Sequence, residues 1–222
     1  FGANVIKVEA PKTGDTTRRM PPFWGDDNHP EKSGLFFYLN TNKKSITLNL
    51  DDDRGAELFK KLAATVDAVV ESFSPGTMAG FGLSYETLMR INSRLIMTSI
   101  SSFGQSGPYR DYLATNLTTY GLGGAMYTMR SSEEPTGRPV IEGGFQADYV
   151  TGVLSFIATM AAFTSRADTG EGTWIDMSAM ECVASTLMGH TAEYPYMGLV
   201  RRTNPFAIHG YPIGYSVPCK DG

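Results

Sequence analysis

Cysteine is scarce. The 222-residue chain carries only Cys182 and Cys219, too few for a disulfide framework and in no CxxC pair. A reducing, cytoplasmic setting is the expectation. Histidine is equally thin: His29, His190 and His209 stand far apart, with no HExxH and no His/Cys ligand spacing. No metal site is expected. Neither sign of charge dominates, since 19 basic and 23 acidic residues leave a net charge of −4. That balance gives no electrostatic footprint for nucleic acid or for an anionic membrane. The uncharged run from Tyr149 to Ser165 sits at the lower edge of spanning length and contains Gly152, Ser155 and three threonines. It reads as a buried core helix rather than a membrane span. The opening residues are apolar only briefly before Lys7 and Glu9, which does not read as a signal peptide. Repeats and low-complexity tracts are also missing.

What is present is an alternating pattern. Val5-Ile-Lys-Val-Glu9 and Ser45-Ile-Thr-Leu-Asn-Leu50 are strand-like. Asp51-Asp52-Asp53 supplies N-cap candidates for a helix with Ala56, Phe59, Leu62, Ala63 and Val66 on one face. Asp67-Ala-Val-Val-Glu71 is again a strand, Ser84 opens a short helix, and Leu95–Ile100 is a third buried strand. Strands and helices alternating at this spacing predict an α/β fold, a Rossmann-like parallel sheet with right-handed helical crossovers. Charge thins along the chain, from twelve residues of each sign in positions 1–94 to eight charges in positions 95–165. The middle therefore reads as buried or site-lining. Gly104 to Gly144 is rich in glycine and predicts loops that bring backbone close to a ligand. A helix is expected from about Val150 to Ser165, then a strand at Thr173–Met177, then a helix opened by the capping box Ser178/Glu181. Residues 1–192 are read as one large domain, and the aromatic, proline-rich residues 193–222 as a linker.

Common catalytic motifs fail. Gly104-Gln-Ser106-Gly107 lacks the last glycine of GxSxG, Gly121-Leu-Gly123-Gly124 is not GxGxxG, and no phosphate loop exists. Asp148 stands alone in the charge-poor region, between a glycine-rich loop and an apolar helix. It is read in two ways: as an N-cap aspartate, or as an oriented nucleophile with backbone N–H groups near enough to stabilise an oxyanion. Composition does not choose.

Several segments, in order, resemble the family III coenzyme A transferases (the CaiB/BaiF type, the carnitine and formyl CoA-transferase group). They are Gly2–Glu9 followed by Gly14-Asp15, Asn42–Leu50, Asp67–Gly76 with Gly82–Tyr85, and Ser99–Pro108. Ala147-Asp148-Tyr149 with Gly152, Thr169–Gly172, Ile175–Ser178 and Cys219–Gly222 complete the series. The resemblance implies an enzyme that moves CoA from an acyl-CoA thioester to a free carboxylic acid. It implies Asp148 as the nucleophile, forming a mixed anhydride and then an aspartyl-CoA thioester. It also implies Lys44, Ser72, Phe73 and Pro75 near the nucleotide of CoA, no tightly bound cofactor, and an interlocked homodimer. Lys44 has a plain reading as an exposed lysine, and Phe73 as core.

Departures from the family pattern are Ser72 in place of Asn, Gly80 where some members are basic, and Leu113–Tyr120 without Tyr-Asp or Tyr-Glu. With no histidine between His29 and His190, the alternative of an α-methylacyl-CoA racemase is disfavoured. A non-catalytic CoA-binding or interaction protein is the other alternative. The resemblance also implies that a first strand and helix precede Phe1 and that a smaller domain follows Gly222. Weak or no activity is then expected of this chain alone, with exposed apolar surface where those parts pack.

Overall fold

The computed structural model describes residues 2–128, 143–198 and 200, in two compact units. Cys219 to Gly222, Glu142 and most of the expected linker lie outside the described residues.

The first unit takes residues up to 67 together with 77–95. Strand β1 (Ile6–Glu9) pairs in parallel with β2 (Lys44–Thr47), placing Ile6 opposite Lys44 and Glu9 opposite Thr47. The connection carries helix α1 (Gly34–Asn40), with Ser33 as its N-cap. One buried carboxylate organises this unit. Glu9 accepts hydrogen bonds from Arg18 Nε at 2.8 Å, Arg18 Nη2 at 3.0 Å, Ser45 Oγ at 2.6 Å and the Asp15 N–H at 2.8 Å. The same guanidinium lies 3.8 Å from the centre of the Phe36 ring, a cation–π contact that ties α1 to the strands. Gly14 is required beside it: its φ is +61°, and a Cβ there would stand 3.0 Å from Arg18 Cδ.

Helix α2 (Asp53–Ala63) starts where the acidic run predicts, with the Asp52 carboxylate accepting from the Arg54 N–H. Ala56, Phe59 and Ala63 are buried as expected, whereas Leu62 and Val66 are only half-buried. The helix is shorter than its apolar pattern, ending before Val66. Asn92 explains the stop: its Nδ2 donates to the carbonyls of Ala63 and Val66 at 3.1 and 3.0 Å, satisfying groups the helix leaves open. A short α3 (Thr77–Gly80) precedes α4 (Tyr85–Ile91), which Ser84 caps by accepting from Thr87 N–H.

The second unit takes residues 68–76 and the chain from 96 onward. Its sheet has the order β3 (Ala68–Glu71), β4 (Ile96–Ser101), β5 (Trp174–Ser178), all parallel. The strands thus divide into a parallel pair and a parallel triplet. The α/β class with parallel strands and helical crossovers is the one the alternating pattern predicts. β4 is central and almost wholly buried, with Ile96, Met97, Thr98 and Ser99 all at 2% exposure or less. Between β4 and β5 come α5 (Asn116–Leu122), α6 (Ala125–Thr128) and the long α7 (Gln146–Thr169). The glycine-rich stretch expected as loop therefore contains two helices. Thr115 starts the first by accepting from the Thr118 N–H, a cap that glycine content obscures. Ser178 caps α8 (Ala179–Ser185) through the Glu181 N–H, as the capping box predicts. The chain continues into α9 (Met188–Met197), so residues 193–197 are helix rather than linker, with Pro195 inside.

Helix α7 corrects the expectation of a buried core helix. Its buried positions are Ala147, Thr151, Ser155, Thr159 and Ala162, a stripe of small residues at helical spacing. Thr159 meets Thr98 of β4 at 2.8 Å between hydroxyls. The opposite face stays open, with Val153 at 60% and Ile157 at 55% exposure. Length and composition alone would let this helix cross a membrane. The small side chains bring its backbone close to the sheet, and so leave the larger apolar ones outward.

Candidate active site

Asp148 lies in the first turn of α7, at the third helical position. The N-cap is Phe145, which makes no side-chain cap bond, so the capping reading of Asp148 is corrected. A carboxylate in a first turn still gains from the free N–H groups and the helix dipole. Its neighbour Ala147 is fully buried in a cluster with Tyr120, Ala125 and Val183, which fixes the start of α7 against α5, α6 and α8. Asp148 is solvent-exposed, and the packing around it desolvates its carboxyl in part, which raises its pKa. The side-chain amide of Asn116, the first residue of α5, pulls the other way by hydrogen bonding. That contact is loose: Asn116 Nδ2 is buried and completes no hydrogen bond of good geometry. A raised pKa makes the carboxylate more basic and hence more nucleophilic.

Ser72, Phe73 and Pro75 are brought together in the turn after β3. With Ser74, Ser101, Ser102, Arg110, Tyr112, Leu113 and Ala114 they line a cavity of about 130 Å³. It forms at the carboxyl ends of β3 and β4, where parallel sheets commonly bind ligands. A chain of polar contacts sets the turn. Trp174 Nε1 on β5 donates to Ser99 Oγ on β4 at 2.9 Å, and Ser99 hydrogen-bonds Glu71 at the end of β3. Glu71 in turn accepts from the Phe73 N–H at 2.8 Å. Burial raises the Glu71 pKa, against these hydrogen bonds. Phe73 is 40% exposed, which removes its reading as core.

The far wall is held by Asp176 of β5, whose carboxylate accepts from the Gln105 N–H at 2.9 and 3.0 Å. Gly104 turns beside it with φ +86° and Ser102 accepts from the Met180 N–H. The aromatic run Phe103, Tyr109, Tyr112, with ring centres 5.8 and 5.3 Å apart, then carries the chain to Arg110.

Lys44 belongs to the other unit, where it opens β2, is exposed and donates its backbone N–H to Val5. Asp148 is not among the residues lining the cavity, though the segment 110–116 links the cavity wall to its partner Asn116. The sequence gives no site role to Ser101, Arg110 or Asn116, the last of which only opens a chance glycosylation triplet, Asn116-Leu117-Thr118. Arg110, one of three arginines in the charge-poor positions 95–165, is the signal that points to this wall.

A carboxylate at a helix start and a polar cavity at the carboxyl edge of a parallel sheet are the two candidate features of this α/β chain. The chain belongs to CoA-transferase family III, whose model matches residues 1–222. It is 39% identical over 186 residues to the succinyl-CoA–L-malate CoA-transferase beta subunit of Chloroflexus aurantiacus, covering 82% of this chain and 44% of that protein. It is 34% identical to the human succinyl-CoA:glutarate CoA-transferase, over all of this chain and 49% of that protein. Among solved structures, a CaiB/BaiF family protein from Brucella suis superposes with a TM-score of 0.82 at 34% identity, covering 91% of this chain and 53% of that one. The chain spans about half the length of the curated relatives it matches.

Proposed function

We propose that this chain carries the nucleophile and part of the CoA site of a CoA-transferase, which moves CoA from an acyl-CoA to a free carboxylic acid. Asp148 attacks the thioester carbonyl and expels CoA thiolate, leaving an aspartyl mixed anhydride. The thiolate then attacks the aspartyl carbonyl, releasing the donor acid and leaving an aspartyl-CoA thioester. The acceptor carboxylate reverses the sequence. The observation that carries this reading is a partly desolvated carboxyl with a raised pKa in the first turn of α7, beside Asn116 of α5. Exclusion of water is needed because both intermediates hydrolyse. Ser72, Phe73 and Pro75, which share one turn of the second unit, contact the CoA nucleotide. The working enzyme is a cytoplasmic homodimer; the exposed apolar face of α7 supports a packing partner for this helix.

The test is a covalent adduct. Incubation with succinyl-CoA, trapping with borohydride or hydroxylamine and peptide mapping should modify Asp148, and Asp148→Asn should abolish the signal. CoA binding without any adduct, in protein of the relatives' full length, would remove Asp148 as nucleophile and leave a CoA-binding protein.

A further inference from the structure

Two polar atoms on the same cavity lose water without gaining a hydrogen bond: Ser101 Oγ and Arg110 Nε. Buried groups of this kind usually find partners, and orphans that share one cavity point to a ligand outside the chain. Arg110 is the one charged residue among those lining the cavity. Its nearest acid, Asp111, stands 3.6 Å from Nη1 and is largely exposed, too loose to neutralise the guanidinium. The guanidinium reaches the turn after β3, because a Cβ on Gly76 would lie 3.5 Å from Arg110 Nη2. Ser72 and Ser74 of that turn add hydroxyls to the same wall. The cavity, about 130 Å³, has room for a small anionic group rather than a whole nucleotide.

We propose that this cavity is an oxyanion subsite, in which Arg110 pairs with a phosphoryl or carboxylate group of the substrate and Ser101 donates a second hydrogen bond. A planar guanidinium that lines the cavity and has no close acid to neutralise it matches the oxygens of one such group. The subsite rests on the CoA-transfer reading for the source of the anion, since that reaction brings both the phosphates of CoA and a free acid.

Calorimetric titration of the wild-type chain, Arg110→Gln, Arg110→Lys and Ser101→Ala tests it, with CoA, pantetheine, pyrophosphate and succinate as probes. Arg110→Gln should weaken the bound oxyanion at least tenfold, Arg110→Lys and Ser101→Ala less, with melting temperatures and any pantetheine binding unchanged. Loss for CoA and pyrophosphate assigns the subsite to phosphate, and loss for succinate assigns it to the carboxylate. If the wild-type chain binds no CoA but binds pyrophosphate or succinate through Arg110, the CoA reading fails and the subsite stands. CoA binding that Arg110→Gln leaves intact, alongside unchanged succinate and pyrophosphate, overturns the subsite alone. No binding of any probe to the wild-type chain overturns both, and a fall in pantetheine binding or melting temperature equal to the loss of oxyanion binding marks Arg110 as structural and overturns it too.

Discussion

Glu9 shows how a single carboxylate holds a sheet edge together. Its hydrogen bonds with Arg18, far outweighing the cost of burial once Ser45 and the Asp15 N–H are added, lower its pKa from 4.5 to about 2. The folded value lies below the unfolded one, so the group stabilises the fold above its ordinary value. That contribution is lost as pH falls from about 4.5 to about 2. At neutral pH it amounts to about 3 kcal/mol. Glu9→Gln should therefore cost stability of that order at pH 7 in denaturant unfolding, and the deficit should shrink steadily as the pH is lowered through this window. A deficit independent of pH would mean that packing, not charge, makes the contact. Asp148 shows the opposite tendency, desolvation raising its pKa with only a loose amide in opposition. The two residues contrast a structural carboxylate locked in its ionised form with a proposed nucleophile left under-satisfied.

At the scale of elements, close approach decides the geometry of the site. Gly123 ends α5 where a Cβ would stand 2.6 Å from Val183 Cγ1 and 2.9 Å from the Met180 carbonyl. Gly123→Ala must push α5 away from α8, at a cost of about 1–3 kcal/mol. It should lower the melting temperature and, by moving Asn116, the yield of the Asp148 adduct as well. Ser178→Ala removes the cap of α8 and should cost about 1 kcal/mol without touching the chemistry. Measured together, the two variants separate loss of stability from loss of alignment. Much at this scale was legible in the sequence, since caps and strand periodicity are local. Asp52, Ser84 and Ser178 open helices as their patterns predict. Helix α5 was hidden because its cap, Thr115, sits among residues whose glycines suggest loop.

For the molecule as a whole, the open face of α7 is the feature that asks for an explanation. Val153 and Ile157 lie one turn apart and mostly exposed on a helix otherwise anchored by small residues. If this face meets a second copy, as proposed, Val153→Glu with Ile157→Glu should shift sedimentation toward the monomer while the melting temperature holds. A monomeric wild-type chain would remove the homodimer from the reading of these residues.

Residue order alone determined the α/β class and the positions of most caps, because hydrophobic period and capping chemistry act over a few neighbours. The family resemblance singled out Asp148, which a charge-poor context by itself left between two roles. Tertiary structure decided that Asp148 follows a helix start instead of capping it, and that α7 buries only a narrow stripe. It also brought Ser101 and Arg110 to one cavity with the turn after β3. Those outcomes depend on which surfaces approach closely across parallel crossovers. Such approach is set by packing between distant segments, and no local pattern encodes it.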